Sequence, residues 1–273
     1  VFNGSQIEEF DVEILGILQN DAGIGAKRSL ILARLSSEEL EKSGVAQGMS
    51  GSPVYIDGKL IGAVAYSFPY AKEAIAGITP IGEMLTIEKE SGPRSAYSSP
   101  IPIKKTLSLG ELYELNKSHF EFDSPLMYRN QSLQPLKIPL IHKGFSPRAL
   151  NRMESVFTEM GFQLSQAGQE KIKLDDVSYT DMTLRAGEPV GVQLISGDLE
   201  MAATGTVTYV NGNQVLAFGH PLYNLGPVDY AMTKARVITV VPSVETSFKM
   251  TATGAVVGRF RQDRTSGVLG EIG

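Results

Sequence analysis

Cysteine is missing from all 273 residues, which rules out a disulfide framework, a thiolate metal site and a cysteine nucleophile. No apolar run approaches the roughly 20 residues that a bilayer-spanning helix needs, and no basic-then-apolar leader opens the chain. It starts at Val1 rather than at Met, as expected of a processed or trimmed product. Basic charge is not in excess either: 25 Lys and Arg stand against 30 Asp and Glu, a net charge of −5, so the electrostatic footprint of a nucleic-acid binder is lacking. Repeats of solenoid length and low-complexity tracts are also absent. What is present is 42% hydrophobic content over a length that suffices for one large domain or two smaller ones.

The most informative stretch is Gly48-Met49-Ser50-Gly51-Ser52-Pro53. A serine between small residues, with Gly48 before it and Gly51 after, lets the backbone turn sharply. The hydroxyl then stands clear while nearby amide groups converge, which is how a nucleophile is built beside an oxyanion hole. The residues that follow, Val54 to Tyr66, read as a β-hairpin turned at Asp57-Gly58.

In chain order, Ile7–Leu18 alternates and then becomes continuously apolar, as a strand with one wet face and a more buried end would. Asp21–Lys27 is a glycine-rich loop without the ending of a phosphate-binding loop or Rossmann spacing. Ser29–Leu35 is a second strand, and Ser36–Lys42 is a serine-capped short helix stopped by Gly44. Gly77–Leu85 reads as a strand running into a helix that starts near Pro80. Breakers and small polar residues between Glu90 and Ile103 mark a surface linker. Beyond it, a strand over Gln134–His142, a helix capped at Ser146-Pro147 and running to Met160, and an extended Phe162–Leu164 make an α/β insert. The last ninety or so residues return to strands, with a turn at Asn211-Gly212. Three segments result: a β-rich half over 1–90 carrying the serine, a linker and insert over 91–185, and a β-rich half over 186–273.

Three histidines could partner Ser50. His119 lies in a polar stretch and His142 ends a strand. His220 follows an apolar strand in Ala217-Phe218-Gly219-His220-Pro221, where Gly219 permits close approach and Pro221 ends the strand. A serine elbow in one β-rich half and a strand-end histidine in the other match the division of labour of a double-barrel serine protease.

These stretches resemble the SpoIVB (sporulation protein IV B) serine peptidase family. The run from Ile7 to Leu85, with Gln47–Pro53 and Gly58–Val64, is similar to that family's carboxy-terminal half. Gly205–Tyr209, Ala217–His220, Gly254–Gly258 and Ser266–Gly270 are similar to its amino-terminal half. The resemblance implies a mainly β, trypsin-like double β-barrel with its halves in circularly permuted order and joined by the α/β insert. It also implies Ser50 as nucleophile, His220 as general base, a protein or peptide substrate, no cofactor or metal, and an extracytoplasmic location in bacteria. Two departures stand out. The serine half comes first here, and the position matching the family's acidic residue is Ser36. Asp263 is the preferred replacement acid, because in a trypsin-like barrel the acid comes from a later loop of the histidine's half; Asp229 and Asp198 are alternatives, and a surface ion pair with Arg261 or Arg264 is the plain reading of Asp263.

The expected chemistry is attack of Ser50 on a peptide carbonyl, proton transfer through His220, and an oxyanion held by the N–H groups of Gly48 and Ser50. The competing reading is a catalytically weak or inactive peptidase-like module that binds envelope proteins. An esterase fits less well, since a hairpin rather than a helix follows the elbow.

Overall fold

A computed structural model describes residues 3–4, 6–20, 28–89, 127–128, 131–166 and 182–273. The chain is mainly β, in two principal sheets. In the first half, β1 (Asp11–Asn20) pairs antiparallel with β2 (Arg28–Ser36), and α1 (Glu38–Ser43) follows. The cap of α1 is Ser37, whose hydroxyl accepts from Leu40 N, and Gly44 ends it at φ 61°, a conformation that suits glycine. Next come β3 (Pro53–Ile56), β4 (Lys59–Ser67), β5 (Ile75–Pro80) and α2 (Ile81–Leu85). The sheet runs β1-β2-β5-β4-β3, antiparallel throughout. The hairpin foreseen at Asp57-Gly58 is β3 and β4, with φ of 49° and 71° at the two turn residues.

The stretch read as an insert contributes to both sheets. A two-residue strand, β8 (Gln134–Pro135), adds to β4 of the first sheet. It is preceded by the small hairpin of β6 (Met127–Tyr128) and β7 (Gln131–Ser132). Strand β9 (Ile138–Lys143), helix α3 (Pro147–Glu159) and β10 (Phe162–Gln166) form a parallel crossover unit whose β9 joins the second sheet. Helix α3 starts at the expected place, with the Ser146 hydroxyl accepting from Ala149 N and Pro147 in the first turn. Its apolar stripe, including Met153, Phe157 and Met160, packs into the core of that sheet.

The second sheet is completed by β11 (Pro189–Ile195), β12 (Glu200–Asn211), β13 (Gln214–Ala217), β14 (Gly226–Val241), β15 (Phe248–Arg264) and β16 (Gly267–Ile272). Strands β12-β11-β14-β15-β16-β13 follow one another, and β13 pairs back onto β12, so these strands close into a ring. Closure requires bent strands, and β14 and β15 supply the bends through repeated register shifts along their pairing. Val190, Val192, Val207, Phe218, Met232 and Phe260 are among the side chains that fill the core of this sheet. Fully burying each contributes roughly 1.5–3 kcal/mol. A smaller cluster of Ala63, Met84, Ile87 and Leu216, with Ile81 and Leu269 against it, joins the first half to the ring. The candidate site lies at this junction. Among the described residues, no helix is long and apolar enough to cross a membrane.

Candidate active site

The serine turn sits between α1 and β3 and is gripped from three directions. Its own hairpin holds it through Gly51 N donating to Val64 O at 2.8 Å and Val64 N donating to Ser52 O at 2.9 Å. Strand β12 holds it through Thr206 N to Ser50 O at 2.9 Å, and through the Thr206 and Thr208 hydroxyls, which donate to the carbonyls of Gly48 at 3.1 Å and Gly51 at 2.8 Å. The start of β15 holds Gln47, which donates to Ser247 O and accepts from Lys249 N. Gly48 and Gly51 adopt φ of 88° and 93°, the left-handed conformation for which glycine is suited. Among the described residues, the N–H groups of Gly48 and Ser50 donate to no acceptor.

His220 reaches the same junction from the end of β13. Phe218 and Gly219 are both left-handed, at φ 69° and 70°, which is uncommon for an aromatic residue and marks a backbone constrained by its surroundings. The constraint is visible. Phe218 N donates to Thr206 O, the Phe218 ring lies over Gly205, and the Thr79 hydroxyl of β5 donates to Gly219 O at 2.6 Å. The elbow and the histidine turn thus share β12 as a common anchor. A Cβ placed on Gly51 would stand 2.6 Å from Phe218 N, so the two turns touch.

Both candidate side chains are inside the protein: Ser50 is 0% exposed and His220 2%. Ser50 Oγ and His220 Nε2 have no hydrogen-bond partner among the described residues. The other ring nitrogen, Nδ1, lies 2.9 Å from Pro221 O. A carbonyl can only accept, so Nδ1 carries the proton and Nε2 presents a bare lone pair. Burial pushes the imidazole down to about 4, against a smaller upward pull from the Pro221 carbonyl.

Asp263 is also fully buried, so the plain reading of a solvated ion pair does not describe it. Arg261 instead approaches Asp229 and Glu271. The Asp263 carboxylate accepts from the backbone, from Leu222 N at 2.8 Å, Tyr223 N at 2.7 Å and Leu225 N at 3.4 Å. The imidazole, the partner foreseen for it, is not among these donors. Burial lifts the carboxyl to about 6, and these N–H groups pull the other way. The alternative acids, Asp198 and Asp229, are exposed, as is Ser36. His142 ends β9 edge-on to Phe145, and His119 lies outside the described residues.

The opposite shifts of His220 and Asp263 make a testable pH signature. From about 4 to 6.5 the unfolded ring holds a proton that the folded ring lacks, so the stability from His220 is full above 6.5 and lost as pH falls towards 4. From 3.8 to about 6 the folded carboxyl holds a proton that the unfolded one lacks, so its contribution is full below 3.8 and lost as pH rises through 6. Each effect is about 3 kcal/mol, and they offset. Urea unfolding of the native chain should give a nearly level stability between pH 4 and 6. In His220→Gln the offset is gone, and stability should fall by about 3 kcal/mol across the same interval; a level profile in that variant would refute the carboxyl shift.

Several contributors escaped sequence reasoning. Thr204, Thr206 and Thr208 alternate along a strand that is buried on both faces, so three hydroxyls on one side needed partners, and that pattern was a usable signal. Lys249 is buried, its amine pushed down to about 8 by burial against the charge of Glu8, and its stem lies against Gly48. A cleft of about 280 Å³ opens beside Gln47, bounded by Phe68, Tyr70, Gln134 and Val244 among others.

Compared with known proteins, residues 1–85 match the family model described as SpoIVB peptidase S55. No curated protein and no solved structure matches the chain. The matched stretch contains the whole serine turn and its hairpin, and it supports a peptidase kinship for this part of the chain.

Proposed function

We propose that this chain is a serine peptidase of the SpoIVB type working through a Ser50–His220 pair. The observation that carries the reading is the contact of Nδ1 with the Pro221 carbonyl: it places the ring proton on Nδ1 and leaves Nε2 unprotonated and partnerless in the same buried junction as the equally partnerless Ser50 hydroxyl. Ser50 Oγ attacks the peptide carbonyl while its proton passes to Nε2. The ring then returns that proton to the leaving amine, and water releases the acyl group by the same route in reverse. The N–H groups of Gly48 and Ser50 receive the oxyanion of a protein or peptide substrate. The trypsin-like relation, with halves in permuted order, is part of this proposal: the closed ring supplies the base and the elbow half supplies the nucleophile. So is an extracytoplasmic, bacterial setting.

The test is labelling with a small fluorophosphonate followed by mapping of the modified residue. Modification of Ser50 in the native chain, and none in Ser50→Ala, is the expected result. Complete burial of both side chains favours one competing reading, a peptidase-like binding module. A folded chain that stays unlabelled would establish that reading instead.

A further inference from the structure

The carbonyl that holds His220 and the amide that Asp263 holds belong to one peptide group, the unit joining Pro221 to Leu222. Its oxygen lies 2.9 Å from His220 Nδ1, and its N–H donates to Asp263 Oδ1 at 2.8 Å. A peptide group is planar and resonance-stabilised. A negative charge drawing on its N–H therefore increases the electron density on its oxygen, and hydrogen bonds in such a chain strengthen one another, most of all away from water. The two ends of the chain are shielded, Asp263 at 0% and His220 at 2% exposed, as is Leu222 at 0%, while Pro221 is half-buried.

We propose that Asp263 is a positioning residue that acts on His220 through the Pro221–Leu222 peptide group, so that a carboxylate, one peptide plane and the imidazole replace the direct acid-to-ring contact of a conventional triad. For its catalytic consequence the proposal rests on the Ser50–His220 reading. No bond breaks in the relay and no proton crosses the peptide. The carboxylate fixes the plane and deepens the carbonyl as an acceptor, and the carbonyl fixes the ring and its tautomer. The additional bonds from Tyr223 N and Leu225 N to Asp263 pin the following turn, which prevents the plane from rotating. This arrangement accounts for the polar residue at 36: with the ring held by a main-chain oxygen, no carboxylate is needed on the segment that leads to the elbow.

The experiment has two parts. In the first, nuclear magnetic resonance on the isotopically labelled native chain is expected to show His220 as the Nδ1–H tautomer. A through-bond coupling is expected between the Leu222 amide nitrogen and the Asp263 carboxyl carbon. A coupling from the ring nitrogen to that carboxyl carbon, or no coupling at Leu222, would overturn the proposal without any variant. In the second, Asp263→Asn retains an oxygen but loses the charge. The Leu222 amide proton and the His220 Nδ1 proton should both move upfield. Fluorophosphonate labelling of Ser50 should slow about 10- to 100-fold, the loss expected when a charged acceptor becomes neutral. Labelling at the native rate, or an unmoved ring proton, would overturn the relay while leaving the Ser50–His220 pair standing. A native chain that is never labelled would remove the catalytic reading, and the resonance measurements would still decide the relay.

Discussion

His220→Ala is expected to slow the reaction of Ser50 with a small fluorophosphonate by a factor on the order of 10⁴ to 10⁶, as when the base of a serine–histidine unit is removed. The effect is expected to be large because the buried serine hydroxyl has no hydrogen-bond partner among the described residues, so no other group is bonded to it to take its proton. Among the described residues a second basic side chain packs on the elbow, the buried Lys249, whose stem lies against Gly48. Lys249→Met separates the two cases: it should leave the labelling rate within a few-fold of native if His220 is the base, and abolish labelling if the lysine is. The pH profile adds a third check. A base held near 4 is a poor match for work at neutral pH, so exposure of the site to water during reaction should raise the ring towards its ordinary 6.5. The labelling rate should therefore rise with pH at a midpoint between 4 and 6.5, and where it falls reports how dry the reacting site remains.

Local features of the site were legible in the sequence because they depend on side-chain identity over a few residues. Gly48 and Gly51 flank Ser50 at φ values that favour glycine, Ser37 and Ser146 cap the helices that follow them, and the hairpin turns at Asp57-Gly58. The strand-end setting of His220 was also recognisable, through the glycine and proline on either side of it. What could not be read were relations carried by the main chain. Every residue except proline has the same N–H and C=O, so the use of Pro221 O as the partner of His220 leaves no mark on residue type. For the same reason Asp263 could be picked out as a candidate acid without revealing that it holds the loop rather than the ring. Long-range pairing was equally hidden. The return of β13 onto β12 and the sharing of residues 131–166 between two sheets follow from which strand edges meet, and local periodicity specifies only which faces are apolar.

The junction also makes a large prediction for stability. Gly51→Ala should destabilise the chain by about 4 kcal/mol or more, since it combines a left-handed backbone for a residue with a side chain and severe overpacking. At φ 93° the added Cβ would lie 2.0 Å from Thr206 O and 2.6 Å from Phe218 N. Both obstacles are backbone atoms, one in β12 and one just past the end of β13, so no side chain can rotate away, and relief requires parting the elbow from β12. Parting them breaks the bonds from Thr206 and Thr208 to the elbow and leaves buried carbonyls without donors, adding to the loss. Gly58→Ala provides the control, because Gly58 has a φ of 71° but nothing within 4 Å of its added Cβ. It should cost only the conformational part, about 1 kcal/mol. Urea unfolding of the two variants therefore isolates the contact between the halves. A clear excess at Gly51 means that the serine turn is braced by the strand that also anchors the histidine turn, so Ser50 and His220 are held by one element. Equal losses would mean that the turn is free of the ring, and the pair could not then be held in register by the fold.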